Sequence, residues 1–197
     1  MAKGFFIQYK FIIPETVKHN SYTYQKLFRA IYGYTQNVTK SNGKTYSYHR
    51  KGVLSNFPHI RPGKNCVIIP TSAFNHLTTF FKTGKNPAHF WRVKGDWKAV
   101  YYMNEKTISE DDAVSAVEKT IQSTFVDKPS GAQSAGIDGE ITLLLENRKN
   151  NLKIDQGYLN LVLSEAEKLT QNEWFKEFHT KSSKLSSFYK KFKELKS

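Results

Sequence analysis

The chain has a single cysteine, Cys66, so no intramolecular disulfide can form within it. One thiol also excludes zinc sites built from four cysteines, or from two cysteines and two histidines. Cys66 lies in the apolar run Cys66-Val67-Ile68-Ile69, where a thiol acts as a small hydrophobe. Long hydrophobic runs are lacking too; none approaches the ~20 apolar residues of a membrane span. Met1-Ala2-Lys3-Gly4 leads only into a short stretch of mixed apolarity, so no signal peptide is predicted. The location expected from these absences is intracellular, either cytoplasmic or nuclear (nucleoid in a bacterium). Nucleotide-loop and zinc-protease signatures are missing: there is no Gly-x-x-x-x-Gly-Lys-Ser/Thr, Gly-x-Gly-x-x-Gly or His-Glu-x-x-His. No internal repeat is found, and no helix-turn-helix or zinc-finger signature.

Acidic residues are scarce in the first half. Residues 1–108 hold seventeen Lys/Arg against only Glu15, Asp96 and Glu105, a net of +14. Residues 109–197 hold thirteen Lys/Arg against fourteen acids, a net of −1. Twenty of the 28 aromatic residues also fall in residues 1–108. Basic charge attracts any polyanion, and π-faces set among the charges favour bases in particular. Within the second half, residues 178–197 carry six lysines and one acid, so the chain ends in a basic tail.

The pattern predicts an α+β protein. An antiparallel or mixed sheet with short helices forms the N-terminal part, and the C-terminal part is mostly helical. Residues 127–137 are small and rich in Gly and Ser, with one proline, and read as a flexible loop or linker. The expected division is therefore a basic, aromatic-rich body over 1–126, a loop over 127–137, and a helical part over 138–197.

Phe5, Ile7, Tyr9, Phe11 and Ile13 alternate with Gln8 and Lys10, a period-2 strand ended by Pro14. Tyr24, Leu27, Phe28 and Ile31 share a helical face over 22–32, with Gly33 as the stop. Asn42-Gly43 between Tyr34–Thr39 and Lys44–Lys51 predicts a β-hairpin with a type I′ turn. Phe57–Ile60 extends toward the sheet, Cys66–Ile69 is a buried strand, and Thr71 or Ser72 caps a helix over 73–83. Phe90–Val93 and Lys98–Met103 read as strands joined through a Gly95-Asp96 turn. Ser109-Glu110-Asp111-Asp112 begins a helix, and Ile141–Leu145 reads as a strand. Leu159, Val162, Ala166 and Leu169 mark another helix, and Trp174, Phe175 and Phe178 continue an apolar face. Leu185, Phe188, Phe192 and Leu195 form the seam of a last amphipathic helix.

Three segments carry the expected binding surface. In the hairpin, Lys44, Tyr46, Tyr48 and Arg50 project on one face, alternating cation and ring. Tyrosines so placed can stack on unpaired bases while cations, Lys51 included, meet phosphates. Between Pro58 and Asn65, His59, Arg61 and Lys64 lie in a proline-stiffened loop suited to gripping a phosphate. Trp91, Arg92, Lys94 and Lys98 supply a third set, with one tryptophan exposed beside a lysine. A structural reading stands beside each: tyrosines and tryptophans in the core, basic residues as ordinary turns.

The expected function is non-enzymatic nucleic-acid binding, to DNA or RNA, with no cofactor and no metal. The alternative is a nuclease or glycosylase using the same surface as its substrate groove. Its acid and base would come from His49, His59, Tyr46 or Tyr48, or its metal from Asp138, Glu140 and Glu146. No catalytic residue is assigned. A further alternative is an interaction module for an acidic protein. The tail seam suits packing on the body or pairing with a second copy, and its lysines can add a phosphate grip.

Overall fold

Period-2 burial shapes the first strand. In the computed structural model, which describes residues 1–86, 92–128 and 136–197, β1 runs from Ala2 to Ile12. Ile7, Tyr9 and Phe11 are buried while Gln8, Lys10 and Ile12 are exposed, as an alternating strand with one covered face requires. β1 is central in a four-stranded antiparallel sheet of order β4-β5-β1-β6, with β4 Ile60–Gly63, β5 Cys66–Ile69 and β6 Lys98–Ile108. The chain is an α+β protein, divided into two compact units, Met1–Ile108 and Ser109–Ser197. That division falls where charge and aromatic content change, ahead of the small-residue stretch. Seven α-helices lie among the described residues. None is long and apolar enough to cross a membrane.

In the first unit, α1 (Tyr22–Tyr32) and α2 (Thr71–Thr83) cover one face of the sheet. Leu27, Ala30 and Ile31 of α1 and Ala73, Leu77, Phe80 and Phe81 of α2 join Ile7, Tyr9, Phe11, Val67 and Ile69 in one core. Ser21 caps α1 by accepting from the Tyr24 amide, and Gly33 ends it. α2 starts at Thr71, with Pro70 before it and no side-chain cap, so the expected hydroxyl cap is not used. Trp97 belongs to this core, its ring 5.7 Å from Phe11 and 5.6 Å from Phe80. Phe57 packs on the core outside any strand. Of the expected strand Phe90–Val93, Phe90 and Trp91 lie outside the described residues. Arg92 forms a single bridge with Lys85.

The hairpin forms a separate two-stranded sheet, β2 Tyr34–Thr39 with β3 Thr45–Arg50. Its turn differs from the expected type I′. Only Gly43 has a positive φ, 76°. The Gly43 amide donates to the Lys40 carbonyl and the Lys40 amide to the Lys44 carbonyl. This is a three-residue loop with glycine at the bulge position. One left-handed residue suffices for it, and Asn42 instead uses its side chain to accept from the Lys44 amide at 3.0 Å.

The second unit is helical: α3 Glu110–Ser123, α4 Ile137–Lys149, α5 Gln156–Thr170, α6 Glu173–Phe178 and α7 Ser183–Lys196. The strand expected over Ile141–Leu145 is instead the middle of α4, and Asp138-Gly139 is its first turn. Ile137, Glu140, Ile141, Leu144 and Leu145 are buried along one helical face. Glu140 occupies a core position, held by Lys128 at 3.0 Å. That acid interrupts the apolar stripe and hides its 3.6-residue period, leaving a short apolar run that imitates a strand. Leu185, Phe188, Phe192 and Leu195 of α7 are buried within this unit, where α7 packs on α4 and α5. Arg148 donates to the carbonyls of Glu194 (3.1 Å) and Leu195 (2.8 Å), satisfying the open end of α7.

Candidate functional site

The root of the hairpin is fixed by backbone contact with the end of α1. The Val53 amide donates to Ala30 and the Leu54 amide to Ile31, filling two carbonyls that a helix end leaves open. A Cβ on Gly52 would lie 2.3 Å from the Gly33 nitrogen, so the two chain segments meet there without side chains. The Gly52 amide donates to the Ser55 hydroxyl at 2.8 Å. β2 and β3 therefore leave the body beside the basic edge of α1.

The hairpin has two unlike faces. Paired residues Thr35–His49, Asn37–Ser47 and Thr39–Thr45 are linked side chain to side chain at 3.0, 2.8 and 3.0 Å. The opposite face carries Tyr34–Arg50, Gln36–Tyr48 and Val38–Tyr46. On it Lys40 lies 4.4 Å from the centre of the Tyr46 ring, and Arg50 lies 5.8 Å from that of Tyr48. Both rings are half-buried.

Where this second face meets α1, it forms the wall of a basin of about 600 Å³. Six cations line the basin: Lys26, Arg29, Arg50, Lys51, Arg92 and Lys94. No acidic side chain lines it among the described residues. Arg29 lies over two rings, 5.4 Å from Tyr22 and 5.0 Å from Tyr34, and Lys26 is 4.6 Å from Tyr22. Both tyrosines remain open, Tyr22 at 58% and Tyr34 at 37% exposure. Among the described residues the site thus offers delocalised guanidinium groups and ring faces without a competing carboxylate, which is the chemistry of phosphate and base contact.

Arg50, Lys51, Arg92 and Lys94 are brought together here, as members of two segments far apart in sequence. Lys44 sits apart at the hairpin tip, and Lys98 opens β6. His59, Arg61 and Lys64 are not in one loop: Arg61 is in β4 and Lys64 in the turn after it. His59 Nδ1 faces the Phe57 carbonyl at 2.9 Å, and its ring lies 5.5 Å from Tyr32. Arg61 covers the Tyr32 ring at 4.2 Å. The hydroxyls of Tyr32 and Tyr9 meet at 3.0 Å. Burial is the main cause that pushes both hydroxyls up from their ordinary range, against the pull of Arg61. They stay protonated at neutral pH, as hydrogen-bonding groups rather than bases. Trp91 lies outside the described residues.

Tyr22, Lys26, Arg29 and Tyr34 were absent from the expected surface. Their signal was present: Tyr22, Lys26 and Arg29 stand at i, i+4 and i+7, one edge of α1 opposite its apolar stripe. Tyr34 shares the strand parity that faces Tyr48 and Arg50 across the ladder.

Two of the three carboxylates considered for a metal, Asp138 and Glu140, are paired with lysines. Asp138 pairs with Lys191 at 2.6 Å and Glu140 with Lys128. Among the described residues no three His, Cys, Asp or Glu side chains gather. His49 lies on the face of the hairpin opposite Tyr46 and Tyr48. Comparison of the chain with protein-family models, curated proteins and solved structures finds no match.

Proposed function

We propose that the first unit binds nucleic acid through the basin between α1 and the hairpin, without chemistry on the bound strand. The observation that carries this reading is six cations beside two open tyrosine rings, with no acid in the lining among the described residues. Lys26, Arg29, Arg50, Lys51, Arg92 and Lys94 meet phosphates, and Tyr22 and Tyr34 offer faces to bases. Hydrogen bonds to charged donors are about twice as strong as neutral ones, so the two arginines with ring support lead the contact. Lys44 at the hairpin tip extends the reach along the strand.

The test is fluorescence anisotropy with labelled DNA and RNA oligonucleotides on the whole chain. Arg29→Gln and Arg50→Gln together should weaken binding and reduce the salt slope by about two, one per lost phosphate contact. Binding unchanged in the doubly substituted chain, with its fold intact by circular dichroism, would refute the reading. A tighter complex with an acidic polypeptide than with any oligonucleotide would favour a protein partner.

A further inference from the structure

The sheet of the first unit has a second face, away from α1 and α2. On β1 and β6 the residues of this face pair as Ile12–Lys98, Lys10–Val100, Gln8–Tyr102, Phe6–Asn104 and Gly4–Lys106. Tyr102 is 62% exposed, Val100 48% and Ile12 49%. Single exposed aliphatics are ordinary on a protein surface. A tyrosine ring standing open midway along the edge strand β6, with lysines on the same face, is a different object. Lys10 is its diagonal neighbour across the ladder, about 7–8 Å away between Cα atoms, close enough for long side chains to interact. Lys98 and Lys106 lie on the same side of β6, four residues to either side of Tyr102. The one acid in these two strands, Glu105, has the opposite strand parity and projects from the other face.

We propose that this outer face of β1 and β6 is a station for an unpaired stretch of nucleic acid. The Tyr102 ring stacks on a base, and Lys10, Lys98 and Lys106 hold the phosphates on either side. This rests on the nucleic-acid reading of the first unit and deepens it, naming a single strand as the ligand. Charge complementarity identifies the occupant: on this face β1 and β6 carry three lysines and no acid beside one open ring, which suits a polyanion whose bases are accessible. An open sheet face presents its ring to a splayed base, while the bases of a duplex are stacked against each other and show only their edges. The face is also within reach of the basin. Lys94 lines the basin and Lys98 opens β6, and four residues of chain span at most ~14 Å. One strand longer than a few nucleotides can touch both.

The experiment compares a labelled single strand of about twelve nucleotides, one of about four, and a duplex of the longer sequence, each with the whole chain. Tyr102→Val removes the ring and keeps a β-branched residue suited to a strand. Tyr102→Phe keeps the ring. Tyr102→Val is expected to weaken binding of the longer single strand about fivefold or more, from the loss of one base–ring stack. Tyr102→Phe is expected to bind within about twofold of the parent, and the duplex is expected to show no effect. Lys10→Gln with Lys98→Gln should lower the salt slope for the longer strand by about two and leave the short strand unaffected. Equal affinity of parent and Tyr102→Val for the longer single strand would overturn the proposal, as would a parent chain that prefers the duplex. If Arg29→Gln and Arg50→Gln weaken binding while Tyr102→Val does not, the basin reading stands and this one falls. If the parent binds no oligonucleotide, both fall.

Discussion

Gly52 has no side chain and no room for one. An added Cβ would lie 2.3 Å from the Gly33 nitrogen and 2.6 Å from the Ile31 carbonyl oxygen, both backbone atoms that cannot step aside. Gly52→Ala should therefore destabilise the first unit by about 1–3 kcal/mol, the usual cost of forcing extra volume into a filled site. It should also displace the basin wall. Denaturant midpoints, with oligonucleotide affinity measured well below the transition, check both effects. His76 gives a second expectation. It is half-buried, with its ring 4.9 Å from Phe57, and burial lowers its pKa from the ordinary value. The folded chain then binds a proton at this site less readily than the unfolded chain. The contribution is full above about pH 6.5 and is lost as the pH falls through the lowered value. His76→Leu should show a smaller drop in melting temperature between about pH 7.5 and pH 5 than the parent. An equal drop in both would show that other groups carry the acid response.

At the scale of elements, α7 separates two roles that its sequence left joined. Its apolar seam is fully covered inside the second unit, and several of its basic side chains are paired there. Lys191 meets Asp138 at 2.6 Å, Lys196 meets Glu167 at 2.6 Å and Lys184 meets Glu118 at 3.5 Å. Phe188→Ala should cost about 3–5 kcal/mol, as for a large buried aromatic. Lys190→Ala should change stability by less than about 0.5 kcal/mol, as a surface change. Thermal melts of both variants decide it, and nearly equal melts would contradict the packing role. Elements with clean alternation or a clean helical stripe were legible in the sequence: β1, α1, α2, α5 and α7 follow from apolar spacing alone. The hairpin was legible from Asn42-Gly43, but its turn type was not, because Asn-Gly serves more than one loop. α4 was misread because Glu140 sits in its buried stripe. Half of the basin was legible. Arg50, Lys51, Arg92 and Lys94 stood out as basic residues beside aromatic ones. Lys26 and Arg29 did not, because basic residues on the polar side of an amphipathic helix are ordinary and carry no pattern of their own. Only the closure of Gly33 on Gly52 brings that edge to the hairpin, and no local pattern announces such a contact.

At the scale of the molecule, charge is divided rather than mixed: +14 over residues 1–108 and −1 over residues 109–197. Affinity for a polyanion should come from the first unit and depend steeply on salt. With about five phosphates neutralised, log K should fall against log salt with a slope of roughly −3.5 to −4.5. A titration series from low to moderate salt measures it, and a flat response would contradict nucleic-acid binding altogether. The fixed root of the hairpin has a consequence of another kind. Because both strands start from backbone held against α1, the cations at the root are in place before any ligand arrives, and little ordering is lost there on capture. The tip has no such anchor, so variation in length belongs at that end. It is constrained in step, because side chains alternate with a period of two. Adding or deleting one residue in each strand before the tip leaves the root unchanged. Slipping one strand against the other by a single residue would turn its rings and cations to the polar face. A ribbon of this build can grow or shrink without moving the basin, provided that its two strands change together.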